Sequence, residues 1–129
     1  MGLGTYYQAP TLNALLVGST TGLPTKWGLV LCSTAPTDAS LVEPGTGSGY
    51  TPQTMPMPPV VSPASSCTNT VAATFGPFSS SITISGAGIK DTTATGGNPI
   101  FVGTLSAAAT LTPGESLIFA VGSTACSVS

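Results

Sequence analysis

The second half of the chain is a succession of short apolar segments separated by glycine, proline or asparagine. From Cys67 onward these segments are NTVAATFGPF, SSITISGAGIKD, NPIFVGTLS, ESLIFAVG and TACSVS, at intervals of about a dozen residues. Short strands with turn residues between them are typical of an antiparallel β-sandwich or jelly roll. The pattern therefore predicts an all-β fold, with LTPGES as one of its turns.

The segment KWGLVLCS predicts the central strand of this fold. Its residues alternate between two sets that are both apolar, so the strand can be covered on both faces. We expect Trp27 and Cys32 to lie in the core. The residues after Cys32, TAPTDASLVEPGTGSG, combine proline, glycine and acids, which predicts a long exposed loop.

A proline-rich segment, YTPQTMPMPPVVSPASS, follows this loop. Proline has no N–H to donate to a β-ladder, so the segment can form only an edge strand or an extended cover over the sheet.

The N-terminal residues show neither helical nor strand periodicity up to Pro10. We predict an extended arm over residues 1–11 and a single β-sandwich domain over residues 12–129. Thr11 is placed to cap one short helix that contains Leu12, Leu15 and Leu16 and stops at Gly18. A helix this short is unstable alone, so it must dock on the domain or on a neighbour.

The arm also carries the candidate attachment residues, Leu3, Tyr6 and Tyr7. Tyrosine provides a large contact area with little loss of side-chain entropy, which suits a protein interface. We expect the arm to be mobile in solution and ordered on a neighbouring subunit.

The scarcity of charge restricts the partners. Charged residues make up 5% of the chain, against about 25% in an ordinary soluble domain. With two lysines and no arginine the chain lacks the cations that nucleic-acid binding needs, and weak self-repulsion favours self-association. We also expect no membrane partner and no secretory signal, because apolar runs are short and no basic segment precedes TLNALLVG.

Catalytic chemistry is not expected. The chain has no histidine, and its four acids lie beside turn residues, with an Asx-turn role for Asp91, loop positions for Asp38 and Glu43, and a strand start for Glu115. No serine lies in a GxSxG motif, and SGAGIKD lacks the ending of a phosphate-binding loop. We therefore expect no enzyme activity, no cofactor and no metal.

The three cysteines cannot all pair within one chain. Cys32 fits a small buried hydrophobe, whereas Cys67 and Cys126 lie in polar surroundings and could pair with each other. In a reducing compartment we expect free thiols.

Several motifs in this order resemble a family of small tailed-phage virion proteins that are often labelled tail fibre proteins. They are LNALLVG, KWGLVLCSTAPTDAS, GSGYTPQTM, TNTVAATFGPF and GIKDTTATGGNPIFVGTLSAAATLTPGESLIFAVG. The resemblance covers residues 12–128 and is most specific over residues 88–122. It implies a β fold and a place in a virion that is made in the host cytoplasm, and it carries over no active site.

Three functions are compatible with these features. The first is a capsid decoration, or cement, protein that trimerises on the outer shell and stabilises contacts of the major capsid protein. The second is a tail-fibre or receptor-binding component, and the third is a small carbohydrate-binding module. The low charge, the small domain and the arm favour decoration. The absence of a heptad stalk and of an evident aromatic platform for sugars counts against the tail-fibre role.

Overall fold

The computed structural model describes residues 2–54, 66–94 and 96–127, which form antiparallel sheets and one helix. This confirms the predicted all-β, sandwich-like fold. The elements in chain order are β1 (Gly2–Leu3), α1 (Thr5–Leu16), β2 (Gly28–Cys32), β3 (Gln53–Thr54), β4 (Ser66–Thr68), β5 (Ala73–Phe75), β6 (Ile82–Lys90), β7 (Pro99–Leu111), β8 (Leu117–Phe119) and β9 (Ala125–Ser127), with a 3-10 turn at Thr46–Ser48.

The main sheet has the strand order β1-β7-β6-β2-β3. All five residues of β2 are buried, and the strand pairs with β6 from Gly28 opposite Lys90 to Cys32 opposite Gly86. The prediction of a central strand with a buried Cys32 is therefore confirmed. Gly86 has to lack a side chain, since a Cβ there would lie 2.5 Å from Cδ of Pro36 in the loop that crosses the sheet.

Two pairs of short strands, β4–β9 and β5–β8, accompany the main sheet. The core cluster joins Leu29 and Leu31 of β2 to Phe75 of β5. Phe75 stacks on Tyr50 at a centroid distance of 5.9 Å and meets Phe119 of β8 edge to face. Each fully buried side chain of this size contributes about 2–3 kcal/mol, so this cluster holds the two layers together.

The β7 strand is longer and less regular than its sequence indicates. Ile84 pairs with Ala109 and Gly86 with Thr104, so residues 105–108 all lie opposite Ser85. We call residues 105–108 the β7 bulge. Extra residues in one strand bend it and interrupt the hydrogen bonds to the neighbouring strand. The regular pairing of β7 with β6 therefore does not continue through residues 105–108.

The N-terminal residues differ from the predicted extended arm. Leu3 pairs with Phe101 of β7, and α1 begins at Thr5, so the boundary placed after residue 11 falls inside a helix. The helix starts early because the domain binds its first N–H groups. Gly4 N donates to Ile100 O at 2.5 Å and Thr5 N to Asp38 O at 2.7 Å. Backbone carbonyls of β7 and of the loop after β2 thus replace the predicted Thr11 cap.

The prediction that Trp27 lies in the core is wrong. Its side chain is 38% exposed. The register explains this, because β2 begins at Gly28, which pairs with β3 and β6, and Trp27 lies one residue before the strand. The proline-rich segment begins with the edge strand β3, as predicted, while residues 55–65 lie outside the described part of the chain.

Candidate attachment interface

In addition to the backbone bond of Thr5, a buried side chain in the first turns of helix α1 anchors the helix to the domain. Tyr7 is buried, and its hydroxyl donates to Oδ2 of Asp91 at 2.5 Å. Asp91 also accepts hydrogen bonds from the backbone N–H of Asn98 at 2.8 Å and from its Nδ2 at 3.1 Å. We call Tyr7, Asp91 and Asn98 the N-terminal clasp. It joins the helix to the turn between β6 and β7.

The clasp changes the acidity of both its ionisable groups. Burial raises the pKa of Tyr7, and the hydrogen bond to the Asp91 carboxylate raises it further. Burial alone would raise the pKa of Asp91, but the hydrogen bonds from Tyr7 and Asn98 lower it by more, so the net shift is downward. Both shifts favour a neutral phenol that donates to an ionised carboxylate.

The second half of α1 is apolar and uncovered. Leu12, Leu15 and Leu16 recur at helical spacing, and Leu15 and Leu16 are 76% and 79% exposed. With Val17, which follows the helix and is also exposed, these three leucines form what we call the α1 apolar patch. The segment TYYQAPTLNALL holds no charged residue. Clustered exposed apolar side chains on a soluble protein mark an interaction surface.

The three candidate attachment residues have different positions. Leu3 packs against the core and Tyr7 forms the clasp, so both hold the N-terminal segment on its own domain. Tyr6 is 59% exposed and contacts the ring of Tyr7 edge to face at 5.0 Å, so its own ring still faces solvent. The leucines of the α1 apolar patch were assigned to the helix by their spacing, but the sequence left open whether the domain or a neighbour covers them.

A second polar cluster lies directly beside the clasp. Lys90 is only 2% exposed, and its Nζ donates to Oε2 of Glu43 and to the carbonyl of Ala94, both at 2.6 Å. Oε1 of Glu43 accepts from the hydroxyl of Tyr50 at 2.7 Å, and that hydroxyl accepts from Leu31 N. We call Lys90, Glu43 and Tyr50 the loop clamp, because they hold the loop after β2 against the sheet.

Glu43 lies in the loop after β2, as its sequence indicated, and its contacts with Lys90 and Tyr50 give it a structural role there. Burial, and then the neighbouring Glu43 carboxylate, raise the pKa of Tyr50, so its hydroxyl stays protonated. Clefts of about 440 and 550 Å³ flank Glu43. Since Glu43 and Lys90 neutralise each other, the clefts offer a ligand mainly backbone, proline and small side chains.

Within residues 2–54, 66–94 and 96–127, no three His, Cys, Asp or Glu side chains are grouped so that they could hold a metal ion. In the same part of the chain, no helix is long and apolar enough to cross a membrane.

The described part of the chain is thus a small antiparallel β domain with an uncharged helix whose second half is exposed. A family model described as podophage GP4 fiber I protein gp80 matches residues 2–127. The match spans nearly the whole chain, so the chain belongs to this family of tailed-phage virion proteins and its place is in the phage particle. The resemblance stated from the motifs is thereby confirmed. No curated protein matches the chain.

Proposed function

We propose that this chain is a structural subunit of a phage fibre that attaches to a neighbouring virion protein through the α1 apolar patch. One observation carries the proposal: Leu12, Leu15, Leu16 and Val17 are exposed on an uncharged helix whose first turns are anchored by the clasp. Covering an exposed side chain of this size completely is worth about 1.5–3 kcal/mol. A partner that covers the patch therefore gains affinity without reorganising the domain.

The printed description of the family, a fiber protein, supports a place in the fibre. The second candidate is capsid decoration, with the major capsid protein as the partner. It is supported by the low charge, since a net charge of -2 allows close packing on a protein shell. Copy number separates the two placements. Quantitative gels of purified particles should show a few copies per fibre, whereas hundreds of copies per particle would support decoration instead.

We expect the subunit to associate with itself as a homotrimer and to bind neither nucleic acid nor membrane, and we assign it no catalytic activity. The charge-poor surface supports self-association, because it opposes contact between copies only weakly. Light scattering of the purified protein at micromolar concentration, and of fibres released from particles, tests the trimer. A monomer in both samples would contradict it.

The attachment surface is tested with a double variant, Leu15→Gln with Leu16→Gln. Both side chains are exposed, so the melting temperature should stay within about 1 °C, in line with substitutions at exposed sites. Binding to particles that lack the protein should fall at least tenfold, which corresponds to about 1.4 kcal/mol.

The matched control is Ile118→Gln with Val121→Gln, two exposed apolar residues in and after β8. This variant should bind as the unaltered chain does. If both double variants bind equally well, attachment does not use α1. If only the control loses binding, the region around β8 is the interface.

A further inference from the structure

The β4–β9 pair places two cysteines directly opposite each other. Cys67 is in register with Cys126, between the pairs Ser66 with Ser127 and Thr68 with Ala125. Directly opposed residues of antiparallel strands have Cα atoms about 4.5 or 5.5 Å apart. A disulfide bond needs a Cα separation of about 4.4–6.8 Å. The backbone therefore suits a cross-strand disulfide at this position.

A buried asparagine keeps this register in place. Asn69 is two residues after Cys67, and its backbone N–H donates to the carbonyl of Thr124, two residues before Cys126, at 3.1 Å. Its Oδ1 accepts from Thr124 N at 2.9 Å, and its Nδ2 donates to Ala120 O at 3.0 Å. A slip of one residue between β4 and β9 would break these bonds, so the cysteines stay opposed.

The third cysteine is inert. Cys32 lies in β2 with no exposed area, and burial, followed by the charge of Glu43, raises the pKa of its thiol to about 12. Thiolates, not thiols, exchange with disulfides, so Cys32 does not compete. Cys67 is partly exposed and its thiol is free. The odd number of cysteines thus divides into one opposed pair and one buried residue.

We propose that Cys67 and Cys126 form an intramolecular disulfide once the particle leaves the reducing host cytoplasm. The Cys67 thiolate attacks one sulfur of a small disulfide such as oxidised glutathione, which forms a mixed disulfide and releases one glutathione thiolate. The Cys126 thiolate then attacks the sulfur of Cys67 and releases the second. Two cysteine thiols are oxidised, one glutathione disulfide is reduced, and the two protons pass to the glutathione thiolates.

The bond would stabilise a weakly held part of the fold. Both β4 and β9 have three residues, and a two-stranded pair of this length is marginal by itself. Closing the chain between residues 67 and 126 also reduces the entropy of the unfolded state. The oxidised protein should therefore melt at a higher temperature than the reduced one. This consequence holds wherever in the particle the subunit lies.

The test uses the full chain, purified in reductant, desalted and incubated with oxidised glutathione. After alkylation and digestion without reductant, mass spectrometry should find the peptide of Cys67 linked to the peptide of Cys126. The intact chain should lose the mass of two hydrogen atoms. The melting temperature should rise by about 10 °C, and a reductant should reverse the rise.

Two variants complete the test. Cys67→Ser should lose both the link and the rise in melting temperature, while Cys32→Ala should keep both. If Cys32→Ala does not fold, the peptide map of the unaltered chain decides alone. Separate glutathione adducts on Cys67 and Cys126, links between chains, or two thiols that remain alkylatable would each overturn the proposal. A link that leaves the melting temperature unchanged would overturn its stabilising role.

Discussion

The N-terminal clasp and the loop clamp depend on two consecutive residues, Asp91 and Lys90, which hold different parts of the molecule. Lys90 is the last residue of β6, and Asp91 is the first residue after the strand. Lys90 is sealed between the sheet and the loop that carries Glu43, whereas Asp91 faces the N-terminal helix and is only partly buried. Similar charge-assisted hydrogen bonds thus hold the loop after β2 on the sheet at Lys90 and hold the N-terminal helix on the domain at Asp91.

This comparison predicts that burial, more than the number of hydrogen bonds, decides what each anchor contributes. A charge that loses its partner in the interior cannot reach water, so the free energy of the whole domain changes. A charge near the surface regains water when its partner leaves, so only the attached segment is released. The predictions below run from the largest expected effect to the smallest.

The largest effect is expected for Glu43→Gln, which leaves the Lys90 ammonium buried beside a neutral amide. The free energy of unfolding should fall by about 3 kcal/mol, measured by urea denaturation. Lys90→Met should be milder, because Glu43 is 20% exposed and keeps its hydrogen bond from Tyr50. Lys26→Met is the control at an exposed lysine and should change little. Equal losses for Glu43→Gln and Lys26→Met would contradict the role of burial.

A smaller and local effect is expected for Tyr7→Phe, which keeps the buried ring and removes the hydroxyl that donates to Asp91. Docking of α1 should weaken by about 1.5 kcal/mol, the typical value for a hydrogen bond to a charged group. Hydrogen exchange of the α1 amides should accelerate about tenfold, while β2 and β6 amides keep their rates. Tyr6→Phe is the matched control, since Tyr6 is exposed. Faster exchange across the whole domain would show that the clasp is not local.

The smallest effect is expected from pH, because the clasp stays intact across the neutral range. The pKa of Asp91 is lowered on folding, so its contribution is present above the unfolded value of about 3.9 and is lost as pH falls below it. The pKa of Tyr7 is raised, so its contribution is present below about 10 and is lost as pH rises above that value. The protection factors of the α1 amides, which are exchange rates corrected for the intrinsic dependence of exchange on pH, should therefore stay level from about pH 5 to 9. In Asp91→Asn the acid response should disappear, and its persistence would assign it to another group.

The strands were predictable because their signals are local. Three segments have an apolar pattern between turn residues, and each contains a strand. They are KWGLVLCS with β2, SITISGAGIKD with β6 and NPIFVGTLS with the first part of β7. The turn in LTPGES was also predictable, since Gly114 has a positive φ of 90° and Glu115 N bonds to Thr112 O.

The N-terminal clasp and the loop clamp were not predictable, because the residues that pair in each of them are distant in the chain. Tyr7 meets Asp91 across 84 positions, and Lys90 meets Glu43 across 47. The pattern of residues 1–11 gave no helical signal because long-range carbonyls at Asp38 and Ile100 start α1. For the same reason Glu43 looked like an ordinary loop acid. Only the folded sheet brings Lys90 beneath it.

The β7 bulge makes this protein suitable for carrying foreign peptides. Residues 105–108 lie opposite a single residue of β6, and Ser106 and Ala107 are exposed. A short epitope inserted between these two residues lengthens a stretch that the ladder already skips, and the pairs Gly86 with Thr104 and Ile84 with Ala109 remain on either side. The subunit would then present the epitope on its own surface, which turns an irregularity of one strand into a position for peptide display.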